Sequence, residues 1–393
     1  MSKSGRVPRG RVAVLLLAMV AALSGLDAAL LRLGVAAPVR SDGLADAHGV
    51  LMVFGFLGTA ITLERAVALR SGAADRSRAW WGYAAPVAAG LGSLLLVAQV
   101  AGAPLPGGRA LPGGAWVASM GVFAAIYLAV WRRQQSYAVL VQLLGALAGV
   151  GGAALWARGF EVAQIVPWWA GMLVLTIMGE RLELARIAFL AGATEARVLA
   201  ESSAVVVALV STLLAPAWGY PLLGLALGAL VVDVAVHDVA RRTVRATGLV
   251  RFVAVCMLAG YAWALVAALV WVVHGPVLAG FGYDVVVHSL TIGFVMSMIL
   301  AHAPVIVPAI VRRPLPYHPV MWAVWGVLQG GLLVRVLSAA RGAVGAWQLG
   351  GSVSVVALLA FLVVTVTLVS GGLDKLDRRA ADRRAADTGR DRG

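Results

Sequence analysis

Three of the chain's six histidines fall in one stretch from Asp284 to His318, DVVVHSLTIGFVMSMILAHAPVIVPAIVRRPLPYH. A neutral imidazole is a common ligand for haem iron and for copper, so histidines set in an apolar helix pattern are candidates for metal chemistry. His288 and His302 stand fourteen residues apart. In an α-helix that is about 40° short of four full turns, so both rings leave nearly one face, roughly 21 Å apart along the axis. That distance is most of the thickness of a bilayer core. One imidazole near each membrane surface would suit two metal or haem centres at two depths.

The other histidines sort the same way. His48 opens a second apolar segment, DAHGVLMVFGFLG, at the depth expected for His288. The two could clamp a haem between their helices, with Gly49, Gly55, Gly58 and Gly293 letting a flat macrocycle approach the backbone. His318, in RRPLPYHP, returns to the depth of His302 and joins it as a candidate for an inner site. His237, ahead of Asp238 and a run of arginines, reads as a surface residue, and His274, beside Gly275-Pro276, as a loop residue. Each of the six also has a plain structural reading as a hydrogen-bonded side chain.

Carboxylates form a second set. Glu64 beside Arg65, and Glu180 and Glu183 with Arg181 and Arg186, read as ion pairs at the inner membrane edge. Their functional alternative is a point of proton access or an anion-binding arginine group. Asp233 lies one turn before His237 and can pair with it, or act as a proton relay. There is no GKT loop, GxGxxG, CxxC, CxxCH or HExxH, so nucleotide hydrolysis, c-type haem and zincin proteolysis have no support.

The elements that must position these residues are membrane-spanning helices. The 393 residues are 61% hydrophobic and 13% charged, with a mean hydropathy of +0.91, a balance found in integral membrane proteins. The single cysteine, Cys256, lies in an apolar run and excludes disulfides. The formal charge of +14 sits in clusters between apolar segments, as orientation signals do, and does not point to nucleic acid.

Apolar runs of near-spanning length divide the chain into twelve segments: 12–33, 48–69, 80–101, 116–131, 137–156, 166–190, 204–217, 221–236, 250–273, 285–311, 319–337 and 347–369. The predicted fold is all-α and polytopic, with one twelve-helix domain over 1–373 and a charged tail over 374–393, disordered or a surface helix. Arginines concentrate in alternate loops: Arg65, Arg70, Arg76 and Arg78, then Arg132 and Arg133, then Arg181, Arg186 and Arg197. They continue with Arg241, Arg242, Arg245 and Arg251, then Arg312 and Arg313. That bias predicts both termini in the cytoplasm. Tryptophans 80, 81, 116, 131, 156, 168, 169, 271 and 347 read as an interfacial belt. Pro216 with Pro221 should make a short outer turn, and Pro304 and Pro308 should kink or loosen the tenth helix beyond His302. The ends of the second and sixth segments, GTAITLERAVAL and TIMGERLELARIAF, echo one another as a 6+6 duplication would.

Two stretches, AHGVLMVFGFLGTAI (47–61) and HSLTIGFVMSMILAHAP (288–304), resemble the NnrS family. Those are twelve-helix bacterial inner-membrane proteins that contain haem and copper and are linked to nitric oxide and nitrosative stress. The first stretch also resembles the second helix of haem–copper oxidase subunit I, where a histidine ahead of an apolar Met-Phe run ligates a low-spin haem. The resemblance implies that His48 is a haem ligand and that His288 matches the histidine opening the family's later helix. Gly49 stands where the NnrS pattern has Glu, and the oxidase's copper-binding histidine pairs are missing.

The sequence thus leads to a multi-pass protein of a bacterial-type cytoplasmic membrane. It would bind haem b, and copper on the family's precedent, through His48, His288, His302 and His318. Its partners would be the lipid bilayer and an electron donor or gaseous ligand. Catalysis is left open. The rival class is a secondary transporter with structural histidines, favoured by the helix count and the echo; a membrane scaffold is the third.

Overall fold

The structure is a computed structural model that describes residues 7–41, 43–73, 75, 77–184 and 192–371. The expected tail over 374–393, the arginines Arg76 and Arg186, and the end of the sixth expected segment lie outside these residues. Among the described residues there are twelve helices long and apolar enough to cross a membrane, and no strand. We number them α1 (Arg9–Leu33), α2 (Leu44–Ser71), α3 (Trp80–Val100), α4 (Ala110–Gln134), α5 (Tyr137–Ala157) and α6 (Val162–Glu183). The second half holds α7 (Thr194–Leu214), α8 (Pro216–His237), α9 (Gly248–His274), α10 (Gly280–Val311), α11 (Val320–Ala339) and α12 (Val344–Val369). This is a multi-pass membrane protein.

Most successive helices pack as neighbours joined by short connections, and α1 also packs on α12. Hydrogen bonds near the helix termini define two ends of the bundle. At one end Ser41 Oγ donates to the Val100 carbonyl at 3.3 Å and Gln348 Nε2 to the Leu33 carbonyl at 2.9 Å. At the other, Arg11 Nε donates to the Tyr83 hydroxyl at 3.1 Å and its Nη1 to the Ala309 carbonyl at 3.0 Å. His48 opens α2 at the first end.

Several expected boundaries move, for local reasons. The seventh helix begins at Thr194 rather than 204, because Glu195, Arg197 and Glu201 lower the hydropathy but are sound helix formers. The turn expected from Pro216 to Pro221 is absent: Pro216 takes the first position of α8, where its missing N–H costs nothing, and Pro221 follows within the helix. His274 is the last residue of α9, not a loop residue. The α-helix runs on through Pro304 and Pro308 to Val311. The irregular turns of α10 lie earlier, in a π-helical stretch over Ser289–Met296. A matching π stretch, Leu51–Gly58, interrupts α2.

The tryptophan belt is also only partial. Trp80 is exposed, but Trp116, Trp156, Trp169 and Trp271 are buried in the core. Trp116 donates its indole N–H to the Ala89 carbonyl at 3.1 Å and stacks on Phe54.

Candidate paired-histidine site

His48 and His288 meet. Their ring centroids are 6.4 Å apart and the ring planes differ by 18°. Each ring is held from behind by a backbone carbonyl at its Nδ1: Gly25 of α1 for His48 at 2.8 Å, and Asp284, one turn back on α10, for His288 at 2.9 Å. A backbone carbonyl at Nδ1 selects the tautomer with the proton there, which leaves Nε2 as the lone-pair nitrogen. Among the described residues neither Nε2 has a hydrogen-bond partner.

The sequence puts the rings together through two helices of the same design. In α2 the π stretch begins three residues after His48, and in α10 it begins immediately after His288. A π stretch widens the turn and is a frequent mark of functional sites. It also breaks the 3.6-residue phase on which a common stripe for His288 and His302 depended. His288 faces α2, while His302 meets Arg181 of α6.

Behind His288 stands a buried ion pair. Arg335 of α11 donates to Asp284 with both Nε (2.8 Å) and Nη2 (2.6 Å), and Trp347 of α12 adds its indole N–H at 2.8 Å. The Asp284 carboxylate is 3.2 Å from His288 Nδ1. The guanidinium also lies over the Trp347 ring, 5.1 Å from its centroid. Sequence reading missed this support, because Asp284 and Arg335 are fifty-one residues apart. The available signal was that both are charges inside apolar segments.

An apolar cleft between α6 and α10 adjoins His288, walled by Val166, Trp169, Ala170, Leu173, Val174, Val287, Leu290, Thr291 and Val295. Trp169 is buried, its indole N–H has no partner, and its ring packs against Gly49, next to His48. The glycines expected to admit a macrocycle do a different job. A Cβ on Gly55 would meet Ala21 and Ser93 at 2.7 Å, and one on Gly293 would meet Trp263 at 2.4 Å. They serve close helix packing.

The remaining candidates are separate from this pair. His302 has both ring nitrogens engaged: Nδ1 with the Met298 carbonyl at 2.7 Å, and Nε2 with Nη1 of Arg181 at 3.2 Å. His318 Nδ1 accepts the Val320 N–H at 3.1 Å. His237 Nδ1 reaches the Asp233 carbonyl at 2.8 Å and lies 3.3 Å from the Asp233 carboxylate, the pairing the sequence allowed. Among the described residues no group of three or more His, Cys, Asp and Glu could hold a bare metal ion.

The donor set at the first end is two imidazoles among the described residues, a set that haem iron takes and that is too small for a bare ion. The fold and site together define a polytopic α-helical membrane protein with paired histidines on two π-interrupted helices. The chain belongs to the family described as a domain of unknown function (DUF8744), whose model matches residues 11–370. No curated protein and no solved structure matches it.

Proposed function

We propose that this protein binds a b-type haem between α2 and α10, which His48 and His288 would hold, and acts in redox chemistry or the response to nitric oxide. The observation that carries the reading is the ring pair, near-parallel at 6.4 Å with both Nδ1 atoms bonded to backbone carbonyls. The likeness of residues 47–61 and 288–304 to the NnrS family supports the same two ligands. When bound, haem supplies one-electron chemistry.

The protein's own residues have clear tasks in that setting. The Gly25 and Asp284 carbonyls fix both imidazoles in one tautomer and orientation. Asp284 adds negative charge behind His288, and Arg335 keeps that charge in place and balanced. Two ligand imidazoles favour electron transfer, and a gas such as nitric oxide would have to displace one of them. Copper lacks comparable support, since His302 has both nitrogens in use.

The arginine bias supports a bacterial-type inner membrane orientation with both termini in the cytoplasm. His48 and His288 then lie toward the opposite, outer face. A transporter remains the second reading, since two interrupted helices meet at a polar site, as in several transporter folds.

The test is a dithionite-reduced minus oxidised absorbance spectrum of the detergent-purified protein, alongside His48→Ala and His288→Ala. A b-type band lost in both variants is the expected result. A flat wild-type spectrum after expression with ample haem would sink the reading.

A further inference from the structure

The opposite end of the bundle holds a second set of buried charges, built from α2, α6, α9, α10 and the segment after α8. Arg65 of α2 is shared by two carboxylates: Glu64 bonds its Nε, and Glu180 of α6 lies 3.1 Å from its Nη2. Arg181, the next residue, forks onto Asp238 with Nε at 3.2 Å and Nη2 at 3.3 Å. Asp238 also accepts from the Tyr261 hydroxyl at 2.7 Å and the Ala240 N–H at 2.8 Å. Glu183 and Tyr127 of α4 face the same groups.

Counting charges divides the cluster. Asp238 and Arg181 form a closed pair, with each carboxylate oxygen of Asp238 taking two hydrogen bonds. His302 Nε2 takes up Nη1 of the same guanidinium at 3.2 Å. What remains is two carboxylates, Glu64 and Glu180, on one guanidinium, with Glu183 adding negative field. Two carboxylates that share a site in low dielectric do not both ionise freely. The surroundings also call for a polar guest. Gln142 of α5 is 1% exposed, its amide has no partner at either atom, and it packs over Gly179, the neighbour of Glu180. Such an unmet amide is costly unless water or another polar group reaches it.

We propose that Glu64 and Glu180 share one exchangeable proton across Arg65, which makes this end of the bundle a proton-exchange site. On release, the O–H bond of the protonated carboxyl breaks, the proton passes to water at this face, and both carboxylates turn to Arg65. Uptake is the reverse. Glu180, at 26% side-chain exposure against 17% for Glu64, is the member nearer water. Nothing here depends on haem at the histidine pair.

The experiment is infrared spectroscopy of the full chain in lipid vesicles at about pH 7, far above the ordinary glutamate value of about 4.3. The wild type should carry a protonated-carboxyl C=O band that shifts in D2O. Glu64→Gln and Glu180→Gln should each remove one carboxyl's worth of it, because either leaves one carboxylate for one guanidinium. Glu183→Gln should keep it. A wild type with no protonated carboxyl overturns the proposal without any variant, and so does equal band intensity in the wild type and both variants.

Discussion

Arg335 grips Asp284 with two parallel hydrogen bonds, Nε to Oδ2 at 2.8 Å and Nη2 to Oδ1 at 2.6 Å. The pair ties α11 to α10 one turn before His288, and Trp347 ties α12 to the same carboxylate. Removing one partner of a buried pair leaves a stranded charge. Arg335→Ala should therefore cost about 3–5 kcal/mol. Thermal unfolding of the detergent-solubilised protein measures it. A loss no larger than that of an exposed arginine such as Arg341→Ala would refute the assignment.

The same carboxylate should set the electronic character of His288. Asp284→Asn keeps the shape but removes the charge behind the imidazole, which weakens the ligand and favours the reduced iron. With haem bound as proposed, its band should persist while its midpoint potential rises in a redox titration. His302→Ala, whose ring lies with Arg181 instead, should leave both band and potential unchanged.

At the opposite end, Tyr261 donates to Asp238 at 2.7 Å in a buried setting. Tyr261→Phe should lose a charged hydrogen bond, about 1.5–3 kcal/mol. Asp238→Asn strands Arg181 and should cost more, about 3–5 kcal/mol. Thermal melts of the two variants should fall in that order.

Glycine separates packing from site effects. A Cβ on Gly350 would lie 2.6 Å from the Arg335 backbone nitrogen and 2.7 Å from the Gly331 carbonyl, so α11 and α12 would have to part. A Cβ on Gly330 meets nothing within 4 Å. Gly350→Ala should destabilise by about 1–3 kcal/mol or more and weaken haem retention through Arg335. Gly330→Ala should do neither, as melting and absorbance will report.

The spanning helices were legible because burial in lipid demands long apolar runs, and no tertiary contact is needed to read them. His48 and His288 were legible as residue types at one depth, and the structure brings them together. Glu64 with Arg65 was legible as a neighbouring pair, but the reach of Arg65 across to Glu180 of α6 was not. What sequence could not give was any pairing across long separations, such as Arg181 with Asp238 fifty-seven residues away. The start of α7 was hidden because charged residues on a helix mimic a loop in hydropathy. The π stretches were hidden because periodicity arguments assume 3.6 residues per turn throughout.

Those two stretches have a consequence for register. α2 carries His48 before its π stretch and Glu64 after it, and α10 carries His288 before and His302 after. One residue more or less within a helix turns everything beyond it by about 100°. The angular offset between the histidine end and the charged end is thus set by the number of residues in Leu51–Gly58 and Ser289–Met296, whatever their side chains. A single deletion there, conservative by composition, would aim one end of the helix at the wrong neighbour, while a drastic swap of one apolar side chain for another would leave the aim intact.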